Sequence, residues 1–474
     1  MPNRPIIAEH RRRNAATSIA LVMLAVGVCV APSSTARAQG WLADRSRTEG
    51  PGIRLGDFEL HPGIGVELGY DSNVFYTGEG VVSASGGLPA RLDSGILRVT
   101  PHLLFSTIGQ QRRTEGEGEA PTELPTVTFR GGVSGSYYEY FADETRRNFS
   151  LDAGLRLTVL PGRPFSFTVF DEFSRGIRPF VENTPRGPLD YSRDQNTAGL
   201  DLLFSTTGGV LQIRAGYRFG LDYFESDVFR YASSMAHTVE LQQTFRFLPQ
   251  TALVTDLSIQ YRNYFLRGTS PPTLLNDSVT LTSRLGINGA ITPEFSLLGM
   301  VGYSAGFFDS AAAGAPGGYD QDYDSVVVQA QASWTITQGT LLNLGYTRSF
   351  APSLIGNYFS QDRGYATFQT MFAGSFLLGV QAGVGYVDFG QVVGPDGTMV
   401  GRTLDRNDVR VDASLFAEYR FTDWLGVNGS LGYQGDFTDF QYQVMVGSPM
   451  MTMTLLEPAG YNKFEAWLGV RVFY

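Results

Sequence analysis

Period-two alternation of apolar and polar residues, sustained well beyond the length of an ordinary strand, constrains this chain more than anything else in it. In Asn148 to Leu160, Phe149, Leu151, Ala153, Leu155, Leu157 and Val159 share one face, while Ser150, Asp152, Gly154, Arg156 and Thr158 share the other. Val210 to Tyr223, Leu253 to Tyr261 and Asp408 to Arg420 repeat the pattern. A helix cannot present it, because a helical face recurs every third or fourth residue. Strands of globular proteins cluster at about 5–6 residues, whereas a strand crossing a bilayer needs about 9–11. One apolar face and one polar or Gly face is what a wall between lipid and water requires.

The connections alternate as well. Tight turns fall at Pro161-Gly162-Arg163, Thr207-Gly208-Gly209, Leu248-Pro249-Gln250 and Ile291-Thr292-Pro293, and continue at Thr337-Gln338-Gly339, Ala373-Gly374-Ser375 and Thr422-Asp423-Trp424. Between them lie longer Asp-, Gly- and Pro-rich stretches such as Phe308 to Asp322 and Asp388 to Asp405. Short turns at one end and long loops at the other match the periplasmic and extracellular ends of a membrane barrel. Turn centres recur roughly every 40 residues, which is also the period of a propeller blade at about 40–45. A blade holds four short strands, however, and each repeat here holds two long ones.

The expected fold is therefore all-β, a transmembrane antiparallel barrel over residues 58–474. Counting predicts 18 strands, with 16 or 20 left open by Gln441 to Val446 and Met450 to Leu455, which read as a short extracellular hairpin. Tyr70, Tyr137, Tyr223, Tyr261, Tyr303, Tyr346, Tyr386 and Tyr433 would form one interfacial girdle. Phe165, Phe204, Phe247, Phe295, Trp334, Phe376 and Phe421 would form the other. In the final strand Phe464, Ala466, Leu468, Val470 and Val472 alternate down to the terminal Tyr474. That ending resembles the C-terminal signal by which barrels are recognised for insertion.

Residues 1–38 read as an export signal. Arg11, Arg12 and Arg13 precede a short apolar run from Ser18 to Val30, and Ala36-Arg37-Ala38 supplies a small-x-small cleavage site. The apolar run is too short for a membrane anchor. Cleavage removes Cys29, the only cysteine, and Arg4, Arg11, Arg12, Arg13 and Arg37 against Glu9, leaving a mature chain more acidic than the full chain's −10. A thiol-free chain suits an oxidising compartment, and an acidic balance argues against nucleic acid as a partner. Residues 39–57 are expected to be a periplasmic N-terminal segment. Charged residues make up 17% of the chain against about 25% in soluble domains, as a lipid-facing surface demands.

The polar face is where function would lie. The candidates are Arg98, Arg130, Arg156, Arg214, Arg218, Asp256, Arg262, Arg284, Arg410 and Asp412, with Arg246 beside them. Asp152, Asp201, Asp222, Glu240, Glu418 and Glu465 share the same face. Charged rings set solute selectivity, or the same residues pair across strands and stiffen the wall. Arginine also grips carboxylates and phosphates bidentately.

Catalysis finds little support. His237 has no serine or acid at a recognisable spacing, so no catalytic residue is assigned and no cofactor is implied. Asp320, Asp322 and Asp324 resemble the start of a calcium loop, but Ser325 replaces the Gly and Gln331 the Glu such a loop needs, leaving only a weak metal candidate. The turn 109–126, with Glu115, Glu117, Glu119 and Glu123, is long for its side of the barrel. It reads as a flexible loop or as a docking element for periplasmic export components.

The first strand runs Leu60-His61-Pro62-Gly63-Ile64-Gly65-Val66-Glu67-Leu68-Gly69 and on through Tyr70-Asp71-Ser72-Asn73-Val74-Phe75. This resembles the opening of the beta-barrel porin 2 family, in which a motif of the Tyr70–Phe75 kind closes the first strand. The resemblance would extend over most of residues 54–474, with the acidic turn as a departure. It implies a Gram-negative outer-membrane barrel surrounded by lipids and lipopolysaccharide, with relatives that accompany exopolysaccharide export. The expected function is a channel for a hydrophilic solute, with surface polysaccharide as the specific cargo. A plugged structural or adhesion barrel, binding a partner through its outer loops, stands as the other reading.

Overall fold

The computed structural model describes residues 50–78, 91–107, 125–178, 190–266, 275–309, 322–354, 358–390, 392, 403, 405–448 and 451–474. The expected leader at 1–38, most of the 39–57 segment, most of the 109–126 turn and Asp320 lie outside these residues.

A three-residue strand β1 (Ile53–Leu55) leads into β2 (Phe58–Asp71), β3 (Ser94–Thr107), β4 (Val127–Tyr140), β5 (Asn148–Val159) and β6 (Phe165–Gly176). Next come β7 (Arg193–Ser205), β8 (Leu211–Phe224), β9 (Ser234–Leu248), β10 (Thr251–Asn263), β11 (Ser278–Ala290) and β12 (Phe295–Phe308). The chain continues through β13 (Tyr323–Thr337), β14 (Thr340–Pro352), β15 (Tyr358–Phe372), β16 (Phe376–Phe389), β17 (Asn407–Thr422) and β18 (Leu425–Phe437). It ends with β19 (Gln441–Ser448), β20 (Met451–Pro458) and β21 (Tyr461–Phe473). From β2 to β18 each strand pairs antiparallel with the next, and β21 pairs with both β18 and β2. The result is a closed cylinder of 18 long strands, as the alternation predicts. Among the described residues β19 and β20 pair only with each other, so the hairpin is an extension and not a spanning pair.

Closure follows from the solvent. In hydrocarbon an unpaired strand edge leaves N–H and C=O groups without partners, so a sheet can cross only as a cylinder. The outer face bears this out. Leu68, Val239, Leu285, Val301, Val384 and Leu468 all project outward and exposed, and Val301 sits level with Leu285 and Val328 on its neighbours. An apolar belt running round the whole molecule far exceeds the patches water tolerates, and lipid covers it. Tyr70, Tyr137, Tyr261, Tyr303, Tyr346 and Tyr386 are exposed near the loop end, and Phe165, Phe204, Phe247, Trp334 and Phe421 near the short turns.

Turn chemistry is visible at Phe372–Ser375, where the Ser375 amide donates to the Phe372 carbonyl. Ala373 and Gly374 both take positive φ, 49° and 70°. Two such residues make the turn whose twist matches the flanking strands.

The motif that carries the family resemblance sits at the seam between first and last strands. Ser72 donates its amide to the Phe464 carbonyl at 3.0 Å and accepts the Phe464 amide on its hydroxyl at 2.8 Å. Asn73 is fully buried: its amide nitrogen donates to the carbonyls of Thr77 and Asn462, and its oxygen accepts the Thr77 amide. Lys463, the chain's only lysine, reaches Asp71 at 2.7 Å and Glu465 at 3.0 Å beneath the Tyr76 ring. Because β2 and β21 are adjacent only in the closed barrel, these contacts register closure itself.

Three apolar clusters line the loop end. Val74 and Phe75 pack with Ile96, Tyr138, Tyr140 and Trp467. Tyr191, Phe224, Phe229 and Tyr264 form a second cluster, and Phe359, Val387, Phe389, Phe440 and Tyr442 a third.

Candidate functional site

The inner wall is set by register. Since Val66, Leu68 and Tyr70 face outward, Glu67, Gly69 and Asp71 face inward, and pairing carries that parity round the barrel. Arg98, Arg130, Arg156, Arg214, Arg218, Asp256, Arg262, Arg284, Arg410 and Asp412 all fall on this inner face.

They do not converge on one point. Arg98 donates to Glu67, the guanidinium lying 2.5 Å from the carboxylate, and stacks 4.3 Å over Trp467. Glu67 also accepts from Asn428 at 2.7 Å and meets Arg471, which in turn meets Glu418. Arg214 and Arg218 share Asp201 and Glu240, with Arg218 at 3.3 and 3.1 Å. Arg284 pairs with Asp256 and donates to Gln329 at 3.1 Å. Arg262 donates to the Ser234 hydroxyl at 2.9 Å. Arg410 lies 3.4 Å from Asp408 and 3.7 Å from Asp436.

Asp412 pairs with Arg363 at 2.8 Å, although β15 and β17 are separated by β16. The side chains bridge above Gly383, the inward residue between them. A Cβ there would stand 2.6 Å from the Arg363 guanidinium and 2.9 Å from the Asp412 carboxylate. A glycine on the middle strand thus lets an arginine reach across it. Glu67, Arg363, Arg406 and Arg471 were not among the sequence candidates. Parity alone places Glu67, Arg363 and Arg471 on the inner face, but nothing linear in the chain announces a pair that skips a strand.

Arg406, just before β17, is the most buried of these groups. Its guanidinium donates to Asp408 at 2.7 and 2.9 Å and to the Tyr442 hydroxyl at 2.6 Å, lies 3.5 Å from Asp436 and stacks 4.5 Å over Phe389. Burial disfavours its charge, but Tyr442, Asp408 and Asp436 outweigh that and hold its pKa above the ordinary guanidinium value. It anchors the third cluster to the wall.

Burial differs along the barrel. Near the loops the charges are dry, as at Arg406, Asp408 and Asp436. Toward the short turns exposure varies: the side chains of Arg156 and Glu172 are 51% and 61% exposed on the inner face, whereas that of Glu418 is 2%. An interior with water at this level can solvate a moving solute.

The other candidates resolve locally. Asp322 accepts the Phe308 amide and Asp324 accepts the Tyr303 hydroxyl, so these two carboxylates serve backbone and girdle. Among the described residues no three His, Cys, Asp or Glu side chains gather as a metal site. His237 faces outward between Tyr217 and Phe219, its Nδ1 2.8 Å from the Tyr217 hydroxyl.

No family model matches the chain and no curated protein matches it, so the likeness to beta-barrel porin 2 rests on Leu60–Phe75. Solved structures with a similar outline include the outer membrane protein opdK from Pseudomonas aeruginosa, at 12% identity and a TM-score of 0.42, covering 88% of this chain and 99% of that one. The copper transporter OprC aligns at 9% identity and a TM-score of 0.42, over 89% and 81%. The siderophore receptor PirA from Pseudomonas aeruginosa aligns at 10% identity and a TM-score of 0.39, over 88% and 80%. The barrel stands on this chain's own strand pairing.

Proposed function

We propose that this protein is a channel in the outer membrane of a Gram-negative bacterium, passing a hydrophilic solute through the lumen. The observation that carries the reading is water-exposed charge on the inner wall of a cylinder whose outside is apolar. Residues 1–38 serve as the export leader, and the strand ending at Tyr474 presents the barrel to the insertion machinery. No catalytic role is assigned to any residue. Reconstitution of the mature chain in a planar bilayer tests the channel: discrete, stable conductance steps are expected, and silence from a folded barrel overturns it.

Surface polysaccharide is the specific cargo we favour, and its support is the resemblance at Leu60–Phe75. Deleting the gene and measuring the cell's polysaccharide coat tests it; an unaltered coat removes the export role while leaving the channel. The plugged barrel keeps one observation in its favour, the three apolar clusters at the loop end. A silent barrel whose outer loops still capture a partner would establish that reading instead.

A further inference from the structure

We infer that Arg130 and Arg156 form an anion site at the short-turn end of the lumen, taking the carboxylate or phosphate group of a passing solute. The inference deepens the channel reading and rests on it.

The two arginines are direct antiparallel partners on β4 and β5. Their Cα atoms are therefore about 4.5–5.5 Å apart, with both side chains on the inner face. Like charges directly opposite each other destabilise a sheet pair, so the wall gains nothing in stability from this placement. Elsewhere on the inner wall several arginines are matched by acid, Arg98 by Glu67, Arg284 by Asp256 and Arg363 by Asp412, while Arg262 meets the Ser234 hydroxyl. Here the match fails. Arg130 is exposed and, among the described residues, meets no carboxylate. Its neighbour across β3 is Ser106, and Thr128 and Gly132 flank it on its own inner face.

Arg156 has one acid, Glu172, at 3.4 Å with both side chains more than half exposed. Such a pair is loosely held and screened. Asp152, the acid on β5 itself, is occupied with the Ser174 hydroxyl at 2.8 Å. Among the described residues, the two guanidinium groups thus carry more positive charge than their neighbours cancel.

The floor of the site is rigid. Phe170 is buried, its ring lying over Gly199, with Arg156 5.0 Å from its centroid and Arg218 at 5.3 Å. Arg218 is fixed by Asp201 and Glu240. The stack orders the Arg156 guanidinium before any ligand arrives, which reduces the entropy lost on binding. Both arginines lie three residues in from the short-turn ends of their strands, about 10 Å into the wall. A planar or tetrahedral oxyanion bridging two guanidinium groups fits this spacing, because each fork presents parallel N–H donors.

The experiment compares wild type, R130Q, R156Q and R130Q/R156Q in planar bilayers, with inorganic phosphate replacing chloride at constant ionic strength. Arg147→Gln, at the loop end and paired with Glu139, controls for the loss of one charge. Phosphate should reduce wild-type and R147Q current in a saturable way. The double variant should need about 10–100-fold more phosphate, as expected for loss of hydrogen bonds to a charged group. Equal sensitivity in wild type and double variant overturns the site even though the channel is open. If no variant conducts, the channel reading fails separately, and the site is read by phosphate-dependent protection of the detergent-solubilised barrel against thermal unfolding. Protection in wild type and its loss in R130Q/R156Q supports the site, and no difference overturns it. Without phosphate the double variant should unfold no earlier than wild type, because the substitutions relieve repulsion; earlier unfolding would mean the pair stabilises the wall.

Discussion

Replacing Arg406 by Met should release the β19–β20 hairpin while leaving the cylinder folded. The Arg406, Asp408 and Asp436 side chains are 0% exposed. Met keeps the length and apolar bulk that rest on Phe389 and Phe440, so the change is chiefly electrostatic. Losing one partner of a buried ion pair costs about 3–5 kcal/mol, because the remaining carboxylates stay dry and unbalanced. Arg410 still lies 3.4 Å from Asp408 and 3.7 Å from Asp436, which places the effect near the lower end. About 3 kcal/mol is roughly a hundredfold in an opening equilibrium. Local opening appears first where few strands hold a segment, and among the described residues β19 and β20 pair only with each other. Amide exchange in residues 441–448 and 451–458 should accelerate about a hundredfold, with the central β10–β12 amides unchanged. Adding D408N to R406M should recover most of the protection, since the remaining carboxylate, Asp436, still has Arg410 beside it. Unchanged exchange in R406M would refute the view that this cation holds the hairpin.

Other substitutions probe the wall and the seam. Gly199→Ala drives a methyl into the Phe170 ring and should lower stability by about 1–3 kcal/mol in urea titrations, whereas Gly364→Ala, with open space around it, should be near neutral. Asn73→Ala leaves the Thr77 amide and the Thr77 and Asn462 carbonyls without its hydrogen bonds; about 1–3 kcal/mol of seam stability should disappear, read as faster amide exchange in residues 72–78. Val301→Arg on the outer belt should cost about 2–4 kcal/mol in folding into vesicles, while Ser258→Arg, facing Glu240 on the inner wall, should be tolerated. Ala373→Asn suits the positive φ of its turn and should raise stability by about 0.5–1 kcal/mol in thermal unfolding.

Strand existence, parity and number were legible because a membrane wall imposes a strict code: a residue is outside or inside, and the choice alternates. Boundaries shifted by a few residues, as at β15, which begins at Tyr358 where alternation alone places the start near 362. The Ser360–Gln361–Asp362 stretch is polar throughout, so hydropathy could not mark it. The inner residues were legible as a set, but their partners were not. Glu67 meets Arg98 and Asn428, 31 and 361 positions away in sequence. Arg406 lies just outside its strand, where period two no longer applies.

The sequence by itself determined that this chain builds a barrel and which side chains face its interior, because burial in lipid and contact with water are properties of single residues in alternation. Only the tertiary structure decided that Asn73 and Lys463 fasten the first strand to the last, that Arg363 crosses a glycine to reach Asp412, and that Arg130 stands directly opposite Arg156. Those are properties of pairs. A pair's energy depends on distance and on the water between its members, and closing the cylinder sets both.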